Sequence, residues 1–402
     1  MTPRVAYVAN RFPRWGGGWV LNEVRGLIEA GVVLTIFSFK PPYPDVAGQA
    51  GMKPWIERTT YVPRGSSMRC VIAGLVCLAR SPLGFARGIA TALRLGGRMA
   101  RGAHLLEIFY LARHIRKAGA THVHAQHADY LADAAMAAAA CLELPFTFTG
   151  HANDLYTNPG RLKEKIRTAR RVATCTGFNE RHLKEQCAAA GIEPSKIVRV
   201  YHGVDLARFA ARATPAPPGR LTTVTRLKEK KGFPYLLDAL ALLERQGVEF
   251  SLEIYGEGDQ RQAIENRIRE LGLQDRVTLK GVIEHDRIPG VLANAGIFVL
   301  PCVVLSNQDR DGIPNTIIEA LATGVPVVST DISGIPEAVR HGVSGLLVPE
   351  RDAASLADAI KLMMTDAGLR QRCSVEGRRI AESSFSISAT GRNLAELFAA
   401  PA

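Results

Sequence analysis

The segment QDRDGIPNTIIEALATGVPVVSTD, residues 308–331, carries the signals of a loop, a helix and a strand in close succession. Pro314 suits the first turn of a helix, where its missing N–H costs no hydrogen bond. We predict a helix over NTIIEALATG and a buried strand over VPVVSTD. A helix that leads directly into an apolar strand is typical of an α/β domain with a parallel sheet.

Two acids of this segment, Asp311 and Glu319, stand eight positions apart, and Glu319 lies among isoleucine, alanine and leucine residues. Carboxylates are rarely buried without partners, so a buried acid beside a ligand cleft is a functional candidate. The amides of Asn315 and Thr316 would point outward from the positive end of the helix, where an anion is favoured. The alternative is structural, with Glu319 on the wet face of the helix and Asp311 capping the loop.

Alternating strand and helix patterns occur on both sides of the Pro-rich stretch RATPAPPGR, residues 212–220. We therefore predict an α/β fold in which two Rossmann-like parallel-sheet domains, residues 1–213 and 214–384, face a central cleft. Residues 385–402 are predicted to form a C-terminal helix that can cross back to the first domain. Ligands of such folds bind at the carboxyl ends of strands and near helix N-termini.

Composition limits the classes of protein that fit. No apolar run in the 402 residues reaches the ~18–20 residues of a membrane-spanning helix. The N-terminus passes directly into a strand-like segment without a secretory signal. The seven cysteines are scattered and form no Cys-x-x-Cys pair, which argues against a zinc site or a disulfide framework. We predict a cytoplasmic protein without a bound metal.

The positive charge is concentrated in the first half of the chain. Residues 1–213 carry 29 Lys and Arg against 14 Asp and Glu, and Glu107 is the only acid between residues 58 and 128. Residues 67–118 combine basic and apolar side chains in a helical pattern, including Arg87, Arg94, Arg98 and Arg101. Such a field attracts anionic lipid, lipid phosphates or nucleic acid, and the alternative is a solvated helix surface. The region lacks interleaved aromatic residues or a known motif, which disfavours a nucleic-acid partner.

RLKEKKGF places Arg226 and Lys231 five positions apart across a predicted strand-to-helix turn. Two cations with free backbone amides nearby suit a diphosphate, and the alternative is an exposed basic loop. YGEGDQR lacks the third glycine of a dinucleotide fingerprint, and no Gly-x-x-x-x-Gly-Lys loop of a nucleotide triphosphatase occurs.

Two N-terminal stretches complete the set of candidates. In FPRWGGGWVLNEV, Gly17 and Gly18 would let backbone amides approach an anion closely, unless the glycines form a flexible surface turn. In FTGHANDLY, His151 and Asp154 lie just past a strand end, where a ligand cleft would open. A lone histidine is also common as a structural residue.

In their order along the chain, these stretches resemble the retaining glycosyltransferases of family 4, which have the two-domain GT-B fold. The resemblance covers most of the chain and rests on the motifs HGVDLARF, TRLKEKKGF, YGEGDQR, LKGVI, IFVLP, DGIPNTIIEALATGVPVV, GIPEAV and GVSGLLVP. Within that family, FPRW…VLNEV, HVHAQHA and FTGHANDLY are most similar to bacterial enzymes of exopolysaccharide or colanic-acid-type assembly.

The resemblance assigns roles to the candidates. Arg226 and Lys231 would neutralise the diphosphate of a nucleotide sugar, and Asp311 would bind the hydroxyls of the donor sugar. Glu319 would bind the ribose, and His151 would lie near the donor sugar as a catalytic-site residue together with Asp311. The remaining donor contacts implied by the resemblance come from Gly17, Gly18, Gly312, Ile313, Asn315 and Thr316, and Asp154 is an acceptor-side candidate. Family members generally use the nucleotide sugar as a co-substrate, without cofactor or catalytic metal.

The chain departs from the family pattern at several places. Asp311 replaces the usual glutamate, and Pro314 stands where many relatives carry glycine. A glycine-rich GGGW sequence at residues 16–19 replaces a Ser-Glu-Thr-Phe type sequence. HVHAQHA has Gln126 and His127 where relatives tend to have histidine and phenylalanine.

We predict a sugar-transferring enzyme that acts with retention of configuration. Its partners would be a nucleotide sugar and a polyprenyl-diphosphate-linked or other glycan acceptor, and its basic half would lie on the anionic inner leaflet of the plasma membrane. Two alternatives remain: another sugar-nucleotide enzyme with the same fold, such as an epimerase, and a non-catalytic nucleotide-sugar-binding protein. The donor base, the sugar and the acceptor are not encoded in recognisable sequence signals.

Overall fold

The computed structural model describes residues 3–14, 18–48 and 50–399. The chain divides into two compact units. The N-terminal unit comprises the residues up to Tyr201 together with those from Ser388 onward, and the C-terminal unit is His202–Ile387.

The N-terminal unit contains a parallel sheet that has seven strands among the described residues, in the order β3-β2-β1-β4-β5-β6-β7. The central register pairs Val5 of β1 with Leu34 on one side and His122 on the other. β1 contains a nearly continuous apolar run, residues 5–9, as expected for a parallel strand with helices on both faces, whereas β4 and β5 alternate apolar residues with histidine or threonine. The strands are β1 (Arg4–Arg11), β2 (Val33–Lys40), β3 (Thr59–Tyr61), β4 (His122–Ala125), β5 (Phe146–Gly150), β6 (Arg171–Thr174) and β7 (Ile197–Arg199).

Helices connect these strands by parallel crossovers. They are α1 (Gly18–Glu29), α2 (Pro44–Ala47), α3 (Lys53–Glu57), α4 (Met68–Arg80), α5 (Pro82–Leu95), α6 (His104–Lys117), α7 (Tyr130–Leu142), α8 (Leu162–Thr168) and α9 (Gly177–Ala189). A π-helical turn, Asn153–Thr157, follows β5. The Ala-rich α7 is almost wholly buried, and its small side chains let α5 and α6 pack close to it.

The predicted basic segment forms α4, α5 and α6. Ser67 accepts a hydrogen bond from the Arg69 amide at the start of α4, and Ser81 ends α4 and caps α5. Part of the predicted basic charge is neutralised by acids from later in the chain. Arg87 pairs with Glu143 at 2.5 Å, and an Arg94–Glu164 ion pair spans 3.0 Å.

The C-terminal unit also contains a parallel sheet, with six strands among the described residues, in the order β10-β9-β8-β11-β12-β13. The connection reverses direction between β8 and β11, which makes their carboxyl ends the natural place for a ligand. The strands are β8 (Arg220–Val224), β9 (Ser251–Tyr255), β10 (Val277–Gly281), β11 (Ile297–Leu300), β12 (Val327–Thr330) and β13 (Gly345–Val348). The helices are α10 (Phe233–Arg245), α11 (Arg261–Glu270), α12 (Ile288–Ala293), α13 (Asn315–Thr323), α14 (Ile335–Ala338), α15 (Ala353–Thr365) and α16 (Ala367–Ser384).

The last helix, α17 (Ile387–Ala399), returns to the N-terminal unit from Ser388 onward. The ring of Phe398 packs against the His122 and His124 rings, with centroids 5.0 and 5.2 Å apart. A Cβ at Gly391 would lie 2.0 Å from the carbonyl oxygen of Gly26 in α1. Glycine is therefore required where the backbones of α1 and α17 approach each other.

The boundary between the units lies at Tyr201/His202, upstream of the predicted boundary at 213/214. Residues 202–213 belong with the C-terminal unit because backbone contacts hold them there. The Arg212 amide donates to the Thr323 carbonyl at 3.1 Å, and its guanidinium donates to the Ala295 carbonyl. The Pro-rich segment has irregular backbone, but the boundary between the two compact units does not lie within it.

The predicted architecture of two Rossmann-like parallel-sheet units is confirmed for each unit separately. Among the helices of the described ranges, none combines the length and the hydropathy that a membrane crossing requires.

Candidate active site

A pair of opposite charges occupies the carboxyl ends of β8 and β11. Lys231 lies in a single 3₁₀ turn, Glu229–Lys231, and its Nζ is 2.6 Å from Oδ2 of Asp311. Asp311 lies in the connection from β11 to α13. The neighbouring Lys230 contacts Oδ1 of Asp309 at 2.9 Å and Oδ1 of Asp311 at 3.5 Å. The structure therefore joins two stretches, KEKKGF and QDRD, that the sequence left separate.

Backbone contacts hold this pair in place. Gly232, directly after Lys231, has a φ of +70°, and a Cβ there would lie 1.9 Å from the Pro301 carbonyl oxygen. The Val303 amide donates to the Lys230 carbonyl at 2.9 Å, and the Thr330 hydroxyl donates to the Cys302 carbonyl at 2.6 Å. Only glycine allows so close an approach with this backbone conformation, so the turn is fixed against the end of β11.

The two partners stabilise each other's charged forms. Burial raises the pKa of Asp311, but the charges of Lys231 and Lys230 outweigh it and hold that pKa below its ordinary value. Burial lowers the pKa of Lys231, but the Asp311 charge outweighs it and raises that pKa above its ordinary value. Desolvation, mainly, raises the pKa of the adjacent Cys302 thiol to about 12. Both Lys231 and Asp311 are therefore charged at neutral pH.

Arg226, the second predicted diphosphate-binding cation, is in a different state. It follows β8 and is exposed, and within the described chain its guanidinium has no hydrogen-bond or ion-pair partner. Its charge acts on Lys231, whose pKa it lowers. Among the residues that the structure describes, the site thus holds two paired cations, Lys231 and Lys230, and one exposed cation without a partner, Arg226.

Helix α13 begins at Asn315, with Pro314 immediately before it as the N-cap residue. The sequence predicts Pro314 in the first turn of the helix, but in the structure it lies one residue before that turn. Its ψ of 127° is extended, which excludes Pro314 from the helix. Among the hydrogen bonds of the described residues, none has its donor in the backbone amides of Gly312, Ile313, Asn315 or Thr316. These N–H groups remain available at the positive end of the helix.

Glu319 is buried at the middle of α13, with 8% of its surface exposed. This excludes the structural alternative in which it lies on a wet helix face. In the described part of the chain its Oε2 atom has no hydrogen-bond partner. Burial raises the pKa of Glu319 to about 7, and only the charge of Arg208 lowers it. A buried carboxyl oxygen without a donor is an acceptor site for a hydroxyl group of a ligand.

The N-terminal candidates form a second group, at the carboxyl end of β5. Nε2 of His151 lies 2.9 Å from both the carbonyl oxygen and Oε1 of Gln126. The His151 ring packs against the rings of Trp19 and His127, with centroids 4.6 and 4.8 Å away. Sequence reasoning named His151 but gave no role to Gln126, because its partner lies 25 positions away.

The structure shows the surroundings of two further N-terminal candidates, Asp154 and Gly18. Asp154 is buried, and its Oδ2 accepts hydrogen bonds from the backbone N–H groups of Ala128 at 3.0 Å and His151 at 3.3 Å. This acceptor-side candidate therefore holds the loops that follow β4 and β5. Gly18 is the first residue of α1, whereas Gly17 lies outside the described residues.

Two family models match the chain, one in each half. The model "Glycosyl transferases group 1" matches residues 208–380, and the model "Glycosyltransferase Family 4" matches residues 18–208. Together the two matches span most of the chain. The chain therefore contains one domain of each of these two glycosyltransferase families. The resemblance predicted from the motifs is thereby confirmed.

Two similar proteins carry names that refer to the biosynthesis of colanic acid and of amylovoran. The putative colanic acid biosynthesis glycosyltransferase WcaL of Salmonella typhimurium is 36% identical over 210 residues, 52% of each chain. The amylovoran biosynthesis glycosyltransferase AmsK of Erwinia amylovora is 35% identical over 211 residues, again 52% of each chain. The chain spans about half the length of these curated relatives.

Solved structures share the fold at low sequence identity. Anabaena Alr3699/HepE in complex with UDP and glucose matches with a TM-score of 0.71 and 16% identity, over 99% of this chain and 100% of that chain. A glycosyltransferase from Rickettsia africae matches with a TM-score of 0.72 and 18% identity, over 99% of this chain and 98% of that chain. These likenesses confirm the predicted GT-B fold class of this family member.

The Lys231–Asp311 pair predicts strong energetic coupling. We expect Lys231→Met or Asp311→Asn alone to lower the free energy of unfolding by ~3–5 kcal/mol. Each substitution removes one member of the ion pair and leaves the other charge buried without its closest partner. The double variant should lose clearly less than the sum of the two. Chemical unfolding of the four proteins measures this, with the exposed Lys228–Asp259 pair as a control that should change little. Additive losses would contradict the coupling.

Glu319 predicts a pH-dependent stability. Its pKa of about 7 in the folded protein lies above the ordinary 4.5, so stability falls as pH rises between these values and the loss is complete above about 7. Glu319→Gln removes this titration. The unfolding free energy of the variant minus that of wild type should therefore be ~2 kcal/mol larger at about pH 8.5 than at about pH 5.5. Urea unfolding at both pH values measures the gain, and the exposed Glu284→Gln should not reproduce it.

Proposed function

We propose that this protein transfers a sugar from a nucleotide sugar to a glycan acceptor, in the biosynthesis of an exopolysaccharide or another cell-surface polysaccharide. The observation that carries the proposal is the arrangement at the carboxyl ends of β8 and β11. There, one unit contains an acid paired with a lysine, together with a cation and a helix N-terminus whose N–H groups have no partner among the described residues. The colanic acid and amylovoran relatives support the biosynthetic context.

Each part of this arrangement suits a different part of a nucleotide sugar. Arg226 and the amides at the start of α13 fit the diphosphate, which is an anion with several acceptor oxygens. The orphan oxygen of Glu319 fits the ribose, whose hydroxyls are donors. Asp311 fits the hydroxyls of the sugar, and its pairing with Lys231 keeps it ionised and therefore able to accept hydrogen bonds.

Transfer in this site would proceed with retention and without a resident metal. The acceptor hydroxyl oxygen forms a bond to the anomeric carbon on the face that the diphosphate leaves. The bond between that carbon and the diphosphate oxygen breaks, and its electron pair stays on the diphosphate. The departing oxygen takes the proton of the acceptor. Arg226 and Lys231 supply positive charge where negative charge develops, which lowers the barrier electrostatically.

The donor base and sugar are left to experiment. The Anabaena structure contains UDP, so UDP-sugars are the first donors to test, followed by GDP-, ADP- and dTDP-sugars. A polyprenyl-diphosphate-linked glycan is the proposed acceptor, in keeping with the basic N-terminal unit.

Arg226→Ala should weaken binding and transfer while leaving the fold intact. The loss of one charge-assisted contact, ~1.5–3 kcal/mol, corresponds to a roughly 10- to 150-fold weaker nucleoside diphosphate affinity. Titration calorimetry and transfer of labelled sugar to a glycolipid acceptor measure the two effects. Arg220, at the opposite end of β8, is the matched control, and Arg220→Ala should leave both unchanged.

The same assay separates the alternatives. Donor conversion that is independent of acceptor would favour an epimerase-like enzyme. Nucleotide binding without any conversion, in the wild type and in Asp311→Glu, would favour a non-catalytic binding protein.

We further propose that the protein acts at the anionic inner face of the plasma membrane, through α4. Four apolar side chains repeat on one face of this helix and are exposed, namely Met68 at 70%, Ile72 at 45%, Leu75 at 62% and Leu78 at 43%. Exposed arginines, including Arg69 and Arg80, border this stripe. An amphipathic helix with apolar and basic side chains together suits the interface of an anionic bilayer.

Liposome sedimentation tests the membrane proposal. Wild type should bind vesicles that contain anionic lipid more tightly than neutral vesicles. Leu75→Glu should weaken that binding at least tenfold, because it places a negative charge in the stripe. Leu362→Glu on α15 of the other unit, also an exposed leucine on a helix, is the control. Equal, negligible binding to both kinds of vesicle would rule out the proposal.

A further inference from the structure

A chain of buried polar side chains links β1 to His151 inside the N-terminal unit. Its members are Tyr7, Glu23, Gln126 and His151, and none is more than 9% exposed. Gln126 is one of the positions at which this sequence departs from the family pattern. Buried polar groups cost free energy unless they are hydrogen-bonded, so the geometry of this chain constrains each member.

Glu23 is the anionic end of the chain. Its Oε1 accepts the Tyr7 hydroxyl at 2.7 Å, and both carboxylate oxygens lie 3.0 Å from Nε2 of Gln126. Burial raises the pKa of Glu23 to about 7, while the hydrogen bonds from Tyr7 and Gln126 lower it. The Tyr7 pKa is also raised well above its ordinary value, mainly by burial, so its hydroxyl stays protonated and donates.

The carboxylate of Glu23 sets the orientation of the Gln126 amide. A carboxylate accepts hydrogen bonds only, so it requires the NH₂ group of Gln126 to face it. The amide oxygen then faces His151. The reversed amide would place two acceptors together at Glu23 and would turn the NH₂ group toward His151.

Two oxygens of Gln126 together set the proton position on His151. Nε2 of His151 lies 2.9 Å from two oxygens of Gln126, the side-chain Oε1 and the backbone carbonyl. Both oxygens are acceptors, so Nε2 must carry a hydrogen. In a neutral imidazole the other nitrogen is then an acceptor, and Nδ1 carries the lone pair.

We propose that Glu23 is a positioning residue that, through the Gln126 amide and alongside the Gln126 backbone carbonyl, holds His151 in its Nε2–H tautomer and so makes Nδ1 a hydrogen-bond acceptor. The use of this acceptor for a donor-sugar hydroxyl rests on the proposed function, whereas the tautomer itself does not. Glu23 acts through Gln126 and needs no contact with a substrate. Sequence analysis passed over it because a glutamate in VLNEV has the pattern of an ordinary helix residue.

Nitrogen-15 NMR of the full-length protein, labelled at histidine, tests this without any turnover. The spectra are recorded near pH 8.5, above the Glu23 pKa of about 7. Wild-type His151, assigned by comparison with His151→Gln, should show a single Nε2–H tautomer. Glu23→Met should move the Nδ1 and Nε2 shifts of His151 toward each other without making them equal, because the Gln126 amide becomes free to reverse while the Gln126 backbone carbonyl still accepts from Nε2–H. Glu23→Gln should restore the single tautomer, since its amide oxygen can still accept from Gln126.

Control variants separate the proposal about the His151 tautomer from the proposed sugar-transfer function. Glu29 lies on the same helix and is exposed, and Glu29→Met should leave the His151 spectrum unchanged. A wild-type Nδ1–H tautomer overturns the proposal, even if Glu23→Met does not fold. An unchanged His151 spectrum in folded Glu23→Met also overturns it. Failure to transfer any sugar would count against the proposed function and would leave the tautomer result standing.

Discussion

The contact between the Lys231 ammonium and the Asp311 carboxylate is the constraint around which the C-terminal site is built. Each charge is largely buried and is stabilised mainly by the other, while Lys230 makes a longer contact with Asp311. Gly232 lets the turn that carries Lys231 meet the end of β11, and the connection from β11 to α13 carries Asp311 back to it. The ion pair thus fixes the loop that leads into α13, and this loop in turn sets the position of the N–H groups at the start of that helix.

The two units solve the problem of buried charge differently. In the C-terminal unit, opposite charges neutralise each other, and no group among the described residues donates a hydrogen bond to Oε2 of Glu319. In the N-terminal unit, the Glu23 carboxylate is satisfied by neutral donors from Tyr7 and Gln126. An orphan acceptor suits a ligand that brings its own donors, whereas a satisfied acceptor suits a structural task, namely the orientation of a neighbouring side chain.

Much of the C-terminal site was predictable from sequence because its groups lie on short, recognisable strand-to-helix segments. Arg226, Lys231 and Glu319 were identified in this way, and the burial predicted for Glu319 is observed. The Lys231–Asp311 contact was not predicted, because its members are 80 residues apart. Asp154 was placed correctly after a strand, but the sequence could not reveal that its carboxylate binds backbone amides.

The sequence by itself determined the alternation of strands and helices, the two parallel sheets and the glycosyltransferase family, since these depend on side-chain periodicity and on local motifs. Only the tertiary structure decided the unit boundary at His202 and the partners of Asp311 and Glu23. The physical reason is the range of the forces involved. Periodicity acts over a few neighbouring residues, whereas burial and hydrogen-bond satisfaction depend on groups that the folded chain brings together from distant positions.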